Sequence, residues 1–490
     1  MPLSPPWRLG TGLAATTAAA LATLTVPMTV LAAPATADAA AARDAATWLG
    51  GNFTDGILPG PFGGPDWGLT IDGLVALSAT GVDTPTRQAA TAQVAAHVRA
   101  YNSYDEWGIE GFTDGGATAK LLYAASAAGA DPTDFGGYDL RAETLSLISA
   151  ADAGNQRGRI TSRVTADSGP DASNTFDQSF AVLGLARSGD VPQDTVDFLI
   201  RQQCAAGGFR LYPDTADGPS PSCDEQPGAT LDVDSTAMAV QALLSAADDG
   251  ATGAAGAARK GADWLVAQQH TDGSFGGSGP TTGANSNSTG LAGQALAAAG
   301  RDTEAGRAVA ALTPLQLTGA NGGKATADAG AIAYSTEGFT TAVAAGIADT
   351  DRDQWRRATA QALLGLAQVP LGRIGVDLPP SSPGPTPSGT ASPTASPTGS
   401  PTPTTSATAT PTATVDPSPS DTVSPPAATP SATTPSTPPA ATAAPSATPP
   451  APGLAGLPTT GPAIAGYVLV AVLMLGGGVL LLVLGRRRAT

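Results

Sequence analysis

Apolar residues along this chain recur at helical spacing, and clusters of Gly, Asp and Pro cut them into two alternating series of segments. The first series covers residues 40–50, 86–101, 138–149, 192–203, 256–269, 303–316 and 352–367. The second lies between them, at 69–80, 114–128, 175–187, 234–247, 286–299 and 335–347. Runs of alternating β-branched residues are absent, so the pattern predicts an all-α domain. Segments of the first series start about 50 residues apart, the period of a helical-hairpin repeat. Six hairpins and a closing helix account for the whole domain. The second series is richer in Ala and other small residues, as at Ser235–Leu244 and Ser288–Leu296. Helices apolar on most of their circumference belong inside, which predicts an inner ring of the second series surrounded by an outer ring of the first.

Both ends of the chain read differently. Arg8 precedes an apolar run from Leu9 to Leu31, and Ala35-Thr36-Ala37 is an A-x-A cleavage site, so residues 1–37 are expected to be a signal peptide. Residues 371–456 are dominated by Pro, Ser, Thr and Ala, too little apolar surface to offset ordering entropy, and read as a disordered stalk. Residues 462–485 are apolar and long enough to span a bilayer, and a basic tail, 486–490, follows with Arg486, Arg487 and Arg488. Directly before that span stands Leu457-Pro458-Thr459-Thr460-Gly461. The arrangement resembles the LPxTG sorting signal of Gram-positive, actinobacterial-like surface proteins. That resemblance implies a sortase that cleaves after Thr460 and joins the chain to peptidoglycan. The expected location is the cell surface, with the chain attached to the wall or held in the plasma membrane by the C-terminal helix, head outside.

Charge and composition narrow the chemistry. A net charge of −17 leaves no basic patch for nucleic acid, which is excluded as a partner. Two histidines and two cysteines make a transition-metal centre improbable, and no cofactor is expected. In an exported protein Cys204 and Cys223 are expected to pair.

A specific resemblance emerges at the ends of two first-series helices. Trp264 leads through Gln269 and Gly273 to Phe275, and Phe198 leads likewise through Gln203 and Gly207 to Phe209. Both resemble the QW repeat of squalene and hopene cyclases, with Phe in place of the terminal Trp. A degenerate third copy runs from Trp48 to Gly56, with Phe53 where Gln is expected. The resemblance to the prenyltransferase and squalene-cyclase repeat superfamily implies an α/α toroid over residues 38–370, with the QW residues as fasteners between hairpins that carry no chemistry.

Candidate chemistry gathers at the starts of the second series. Asp232-Val233-Asp234-Ser235-Thr236 resembles the DxDD motif of class II terpene cyclases, which would make Asp234 a proton donor; Ser235 departs from that motif, and the reading adopted is that Asp234 and Ser235 cap an inner helix and offset its N-terminal dipole. Asp72, Asp114, Asp177, Asp232, Asp234, Asn287 and Glu337 form an expected ligand rim at one end of the ring. Aromatic residues make up only 5% of the chain, few for stabilising carbocations. Tyr101, Tyr104, Trp107 and Phe112, with Trp67, form either a platform for a sugar or flat cofactor or packing under a long loop. On balance the sequence points to a non-enzymatic toroid displayed on the wall to bind an unknown extracellular ligand. Small-molecule capture in the manner of cobalamin carriers is one alternative, and a terpene-cyclase-like or polysaccharide-active enzyme is another.

Overall fold

A computed structural model describes residues 37–213 and 222–376 of the protein. The expected signal segment before residue 37, the expected stalk beyond residue 376, the expected sorting motif 457–461, the apolar span 462–485 and the basic tail lie outside the described residues. Among the described residues no helix is long and apolar enough to cross a membrane.

In chain order the helices are α1 (Ala39–Gly50), α2 (Trp67–Thr80), α3 (Thr84–Ala96), α4 (Val98–Asn102), α5 (Gly115–Ala127), α6 (Leu140–Ser146), α7 (Thr175–Ser188), α8 (Gln193–Arg201), α9 (Val233–Asp248), α10 (Ala254–Gln268), α11 (Ser286–Ala298), α12 (Asp302–Leu312), α13 (Thr336–Ala345) and α14 (Arg352–Ala367). Two two-residue strands, β1 (Phe209–Arg210) and β2 (Leu231–Asp232), pair antiparallel before α9. Side-chain caps set the starts of the inner helices. Asp66, Asp114, Asn174, Asp232 and Asn285 each accept a backbone N–H of the helix that follows, satisfying donors that would otherwise be orphaned.

Helices α2, α5, α7, α9, α11 and α14 pack in succession, and α14 returns to pack on α2, closing an inner ring. Outside it stand α1, the α3–α4 pair, α6, α8, α10 and α12; the first five are followed in the chain directly by their inner partners, and α13 intervenes between α12 and α14. The result is an α/α toroid of six hairpins. His97 breaks the expected 86–101 helix into α3 and α4, with backbone angles outside the helical region and its ring stacked on Trp67 at 4.3 Å.

The ring closes differently from the sequence expectation. Segment 335–347 was assigned to the inner series and 352–367 to a closing outer helix, but the sixth inner position belongs to α14. Helix α13 packs on the short helical turn Gly323–Asp328 and buries only Ala342. Helix α14 buries Ala358, Thr359, Ala360, Ala362, Leu363 and Leu364 in succession, the all-round burial of an inner helix. Periodicity alone could not separate the two, because both are amphipathic and rich in small residues. Backbone proximity decides the closure: a Cβ on Gly290 of α11 would lie 2.6 Å from the Gln361 carbonyl oxygen of α14. Only glycine fits that crossing.

The QW-like glutamines fasten outer helices to one another. Gln203 Nε2 donates to Gly207 O (2.8 Å) and, on α10, to Ala257 O (2.9 Å). Gln269 Nε2 donates to Gly273 O (3.0 Å) and, on α12, to Glu304 O (2.8 Å). A further fastener, absent from the motif reading, closes the circle: Gln316 Nε2 donates to Gly330 O (3.1 Å) and, on α1, to Ala41 O (2.8 Å). Its glycine stands fourteen residues away instead of four, so a fixed spacing does not find it. Phe53, where a glutamine was expected, packs against Gly73 of α2.

Long connections join outer to inner helices on one face, and on the other face most connections are short. The Cys204–Cys223 disulfide ties down one of the long ones. The opposite face is sealed by the segment after α14. Leu371 and Ile374 are buried, and Arg187 of α7 donates to the carbonyls of Gly372 (2.6 Å), Ile374 (2.7 Å), Leu371 (3.2 Å) and Ser126 (3.2 Å). Gln241 accepts from Leu371 N at 2.9 Å. Residues 371–376, read as linker by composition, are therefore the floor of the folded ring.

Candidate functional site at the mouth of the ring

The inner helices enclose a cavity of about 60 Å³. Every one of them contributes a wall residue, among them Asp72, Lys120, Phe180, Met238, Leu291 and Gln361, and Leu371 supplies the floor. Helical geometry extends this wall upward, because residues four apart share a face. One turn nearer the mouth than Met238 and Leu291 stand Asp234 on α9 and Asn287 on α11; Arg357 stands one turn from Gln361 on α14.

Within the well the charged pair is Lys120 and Asp72. Lys120 Nζ lies 2.6 Å from Asp72 Oδ1 and 3.4 Å from Gly68 O, and 6.0 Å from the ring centres of Tyr101 and Phe180. Burial works against the ammonium charge, but the Asp72 carboxylate outweighs it and holds the lysine above its ordinary pKa. The sequence reading had missed Lys120. A lone lysine in an otherwise apolar Ala-rich inner helix was the available signal.

Between α5 and α7 the acids cluster. Asp114 caps α5 through Ala117 N (2.8 Å). Asp177 completes a capping box by accepting Asn174 N at 2.9 Å, and its side chain lies against Gly116, where a Cβ would collide with it. Asp171 accepts from Ser162 N (2.9 Å) and the Ser173 hydroxyl, and Arg159 approaches it at 3.5 Å. Burial, then the charge of Asp114, pushes Asp177 up to about 8, against the opposing Asn174 N–H and Arg159. Asp114 rises to about 6, again first by burial, with the Asp171 charge adding to it. At neutral pH one carboxyl of this pair holds its proton and its neighbour does not.

On the next inner helix round the ring, Asp232 caps α9, accepting from Ser235 N and the Ser235 hydroxyl, both at 2.7 Å. Asp234, 3% exposed, is raised to about 7 by burial and then by the Asp232 charge, with an opposing contact from Ser288. Its Oδ1 has no hydrogen-bond partner among the described residues, and neither do Ser286 Oγ or the two amide atoms of Asn287. Between α14 and α2, Arg357 pairs with Asp66 and, at 2.8 Å, with Asp353.

Of the expected rim, the structure brings Asp114, Asp177, Asp232, Asp234 and Asn287 to the mouth and Asp72 to the wall below it. Glu337 does not belong there: it is exposed on α13, outside the inner ring. Asp66, Asp171, Lys120 and Arg357 join the site without having been singled out, since only the ring closure brings α14 beside α2. Tyr101, Tyr104 and Phe112 are buried, with Tyr104 stacked on Phe112 at 3.9 Å, whereas Trp107 is 54% exposed. Phe62 and Tyr212 are also exposed, and all three lie on outer-to-inner connections around the mouth. Among the described residues no group of three or more His, Cys, Asp or Glu is placed to hold a metal ion.

No protein-family model and no curated protein matches the chain. Among solved structures it is similar to the unsaturated glucuronyl hydrolase, responsible for the degradation of glycosaminoglycan, from Bacillus sp. GL1, at 14% identity and a TM-score of 0.45, over 69% of this chain and 97% of that one. It is also similar to an unsaturated glucuronyl hydrolase specific for heparin, at 12% identity and a TM-score of 0.44, over 68% of this chain and 98% of that one. These are enzymes. The expectation of a non-enzymatic binding toroid is corrected on that finding, which accords with the polysaccharide-active alternative.

Proposed function

We propose that the head is a polysaccharide-active enzyme that works by acid–base chemistry at the mouth of the ring. The Asp114–Asp177 pair carries this reading: two neighbouring carboxyls whose surroundings hold one protonated and the other ionised near neutral pH. In glycoside hydrolysis two such groups share the work. Asp177 gives its proton to the glycosidic oxygen as the bond to the anomeric carbon breaks. A water adds its oxygen to that carbon and yields its proton to the Asp114 carboxylate, so the acid leaves as the base is protonated and bulk water resets both. Exposed Trp107, Phe62 and Tyr212 around the mouth supply flat apolar faces on which sugar rings stack.

Isoprenoid cyclisation fits the same cavity poorly. A carbocation in the well would face the Lys120 ammonium, which its environment keeps charged. Few aromatic rings line the wall to offset that repulsion.

The head is proposed to work outside the cell, with sortase and peptidoglycan as partners through Leu457–Gly461 and the membrane as a transient anchor through residues 462–485. The A-x-A site, the sorting-type motif, the apolar span and the arginine tail support this location. Thr460→Ala is expected to leave the protein in the membrane fraction, and unchanged release by muramidase digestion would refute the wall attachment.

Incubation of the purified chain with wall polysaccharides, glycosaminoglycans and neutral glucans, followed by mass spectrometry of the products, tests the activity. Asp177→Asn is expected to lower turnover a hundredfold or more, the scale of a lost proton donor. Full turnover in Asp177→Asn, or no product from any of these substrates, sinks the reading.

A further inference from the structure

On α9 and α11, the next inner helices round the ring from α7, four polar atoms are buried and lack partners among the described residues: Asp234 Oδ1, Ser286 Oγ, Asn287 Oδ1 and Asn287 Nδ2. Asn287 is 1% exposed and Ser286 fully buried. Buried groups of this kind are nearly always satisfied, and leaving one unpaired is unfavourable. Four together is a concentration that a purely structural helix start does not need. The neighbouring cap shows the contrast, since Asn285 Nδ2 donates to Thr281 O, Gly283 O and the Ser288 hydroxyl, and its Oδ1 accepts Ser288 N.

Placement gives the orphaned atoms a direction. Asp234 and Asn287 lie one turn above Met238 and Leu291, which line the well, so both belong to the inward faces of α9 and α11. The connection from Gly276 to Gly283 folds over them, and a Cβ on Gly277 would come within 2.9 Å of Asp234 Oδ2. Glycine there lets the connection close directly over the carboxyl. The chemistry of the set is that of a hydroxyl binder: an amide that both donates and accepts, a carboxyl and a hydroxyl, all within two helix starts. The acids at this position are Asp232, which caps α9, and Asp234 two residues on. A carboxylate brought here would meet like charge.

We propose that Asp234, Ser286 and Asn287 form a subsite for a neutral sugar ring with free hydroxyls, and that it positions substrate for the Asp114–Asp177 pair while rejecting uronate rings. The proposal rests on the polysaccharide reading above, and it departs from the uronate chemistry of the glucuronyl hydrolases named earlier. Asp234, Ser286 and Asn287 are positioning residues in this scheme.

Titration calorimetry of the full chain with cellotetraose, chitotetraose and tetragalacturonate reads the subsite without requiring turnover. The expected result is binding of at least one neutral tetrasaccharide and at least tenfold weaker binding of tetragalacturonate. Asn287→Leu removes the amide at nearly constant volume. Because that amide has no protein partner, the thermal midpoint is expected to hold or rise while affinity for the neutral ligand falls tenfold or more. Ser286→Ala provides a second, gentler removal, with a smaller loss of affinity in the same direction. Unchanged affinity in both variants, tighter binding of tetragalacturonate, or no binding of either neutral ligand overturns the proposal. A lowered midpoint in Asn287→Leu with affinity intact also overturns it, since the amide would then be structural. Neutral-sugar binding that depends on Asn287, in a chain that turns over no polysaccharide, leaves the subsite standing and removes only the hydrolytic reading.

Discussion

The two faces of this ring treat buried polar groups differently in degree. At the floor Arg187 spreads its guanidinium over four backbone carbonyls, and Gln241 and Gln294 meet the backbone of Leu371 and Val369, with Arg187 Nε and Gln294 Oε1 left without a partner among the described residues. At the mouth Asn287 and Asp234 keep polar atoms with no partner among the described residues, and three carboxyls sit above their ordinary pKa. The same inner helices supply both faces. The difference teaches that the floor is arranged for stability, whereas the mouth retains polar capacity and proton affinity that the fold itself does not use.

Breaking the floor should have the largest effect. Arg187→Met strips a buried donor from carbonyls that close the ring, and a loss of about 3 kcal/mol is expected. Urea unfolding checks it: the midpoint should fall with the slope unchanged. A loss under about 1 kcal/mol would mean that the strap is not part of the cooperative fold.

The mouth predicts a pH dependence of definite sign. Asp114, Asp177 and Asp234 have folded pKa values of about 6, 8 and 7 against an unperturbed 3.8, so the folded state binds protons more tightly than the unfolded one. Their contribution to stability is fully present below pH 4 and is lost as pH rises through these values. Between pH 4 and pH 8.5 these groups should cost roughly 2 kcal/mol or more, read as a falling thermal midpoint. Asp177→Asn should flatten that fall and raise the midpoint at pH 8.5 without raising it at pH 4. An unaltered slope in this variant would contradict the proton-holding role. If Asp177 is the acid, turnover by the wild type also declines as pH passes about 8.

Smaller effects sharpen the contrast. Asp234→Asn removes a carboxyl whose raised pKa already costs stability at pH 7, so the thermal midpoint is expected to rise at pH 7 and not at pH 4, the same direction as Asp177→Asn. Trp107→Ala, at an exposed aromatic, should leave stability within about 0.5 kcal/mol and weaken polysaccharide binding several-fold. Retention on an immobilised-glucan column reads the second effect, and unchanged retention would remove Trp107 from the binding face.

Much of the ring was legible in the chain. The alternation of apolar segments places the first five inner helices within two residues of their observed starts, because long amphipathic periods and Asp or Asn caps act locally. Cys204 and Cys223, Gln203 and Gln269 announce their roles by residue type and spacing. The site was legible only in outline. Capping alone marks Asp114, Asp177 and Asp234, but a cap and an acid look alike in sequence. What separates them is burial and a neighbouring charge, and both come from helices distant in the chain.

By itself, then, the sequence determined the repeat, the helical class and which residues begin each helix, since these depend on propensity, periodicity and contacts a few residues apart. Tertiary structure decided which helix completes the ring, where the Gly290 crossing admits α14 and leaves α13 outside. It also decided that Lys120 and Asp72 share one well and that residues 371–376 floor it. Above all it set the protonation of the mouth. Desolvation and charge–charge repulsion depend on distances through space, and only the closed ring brings Asp114 beside Asp177 and leaves Asp234 and Asn287 buried with hydrogen-bonding capacity to spare.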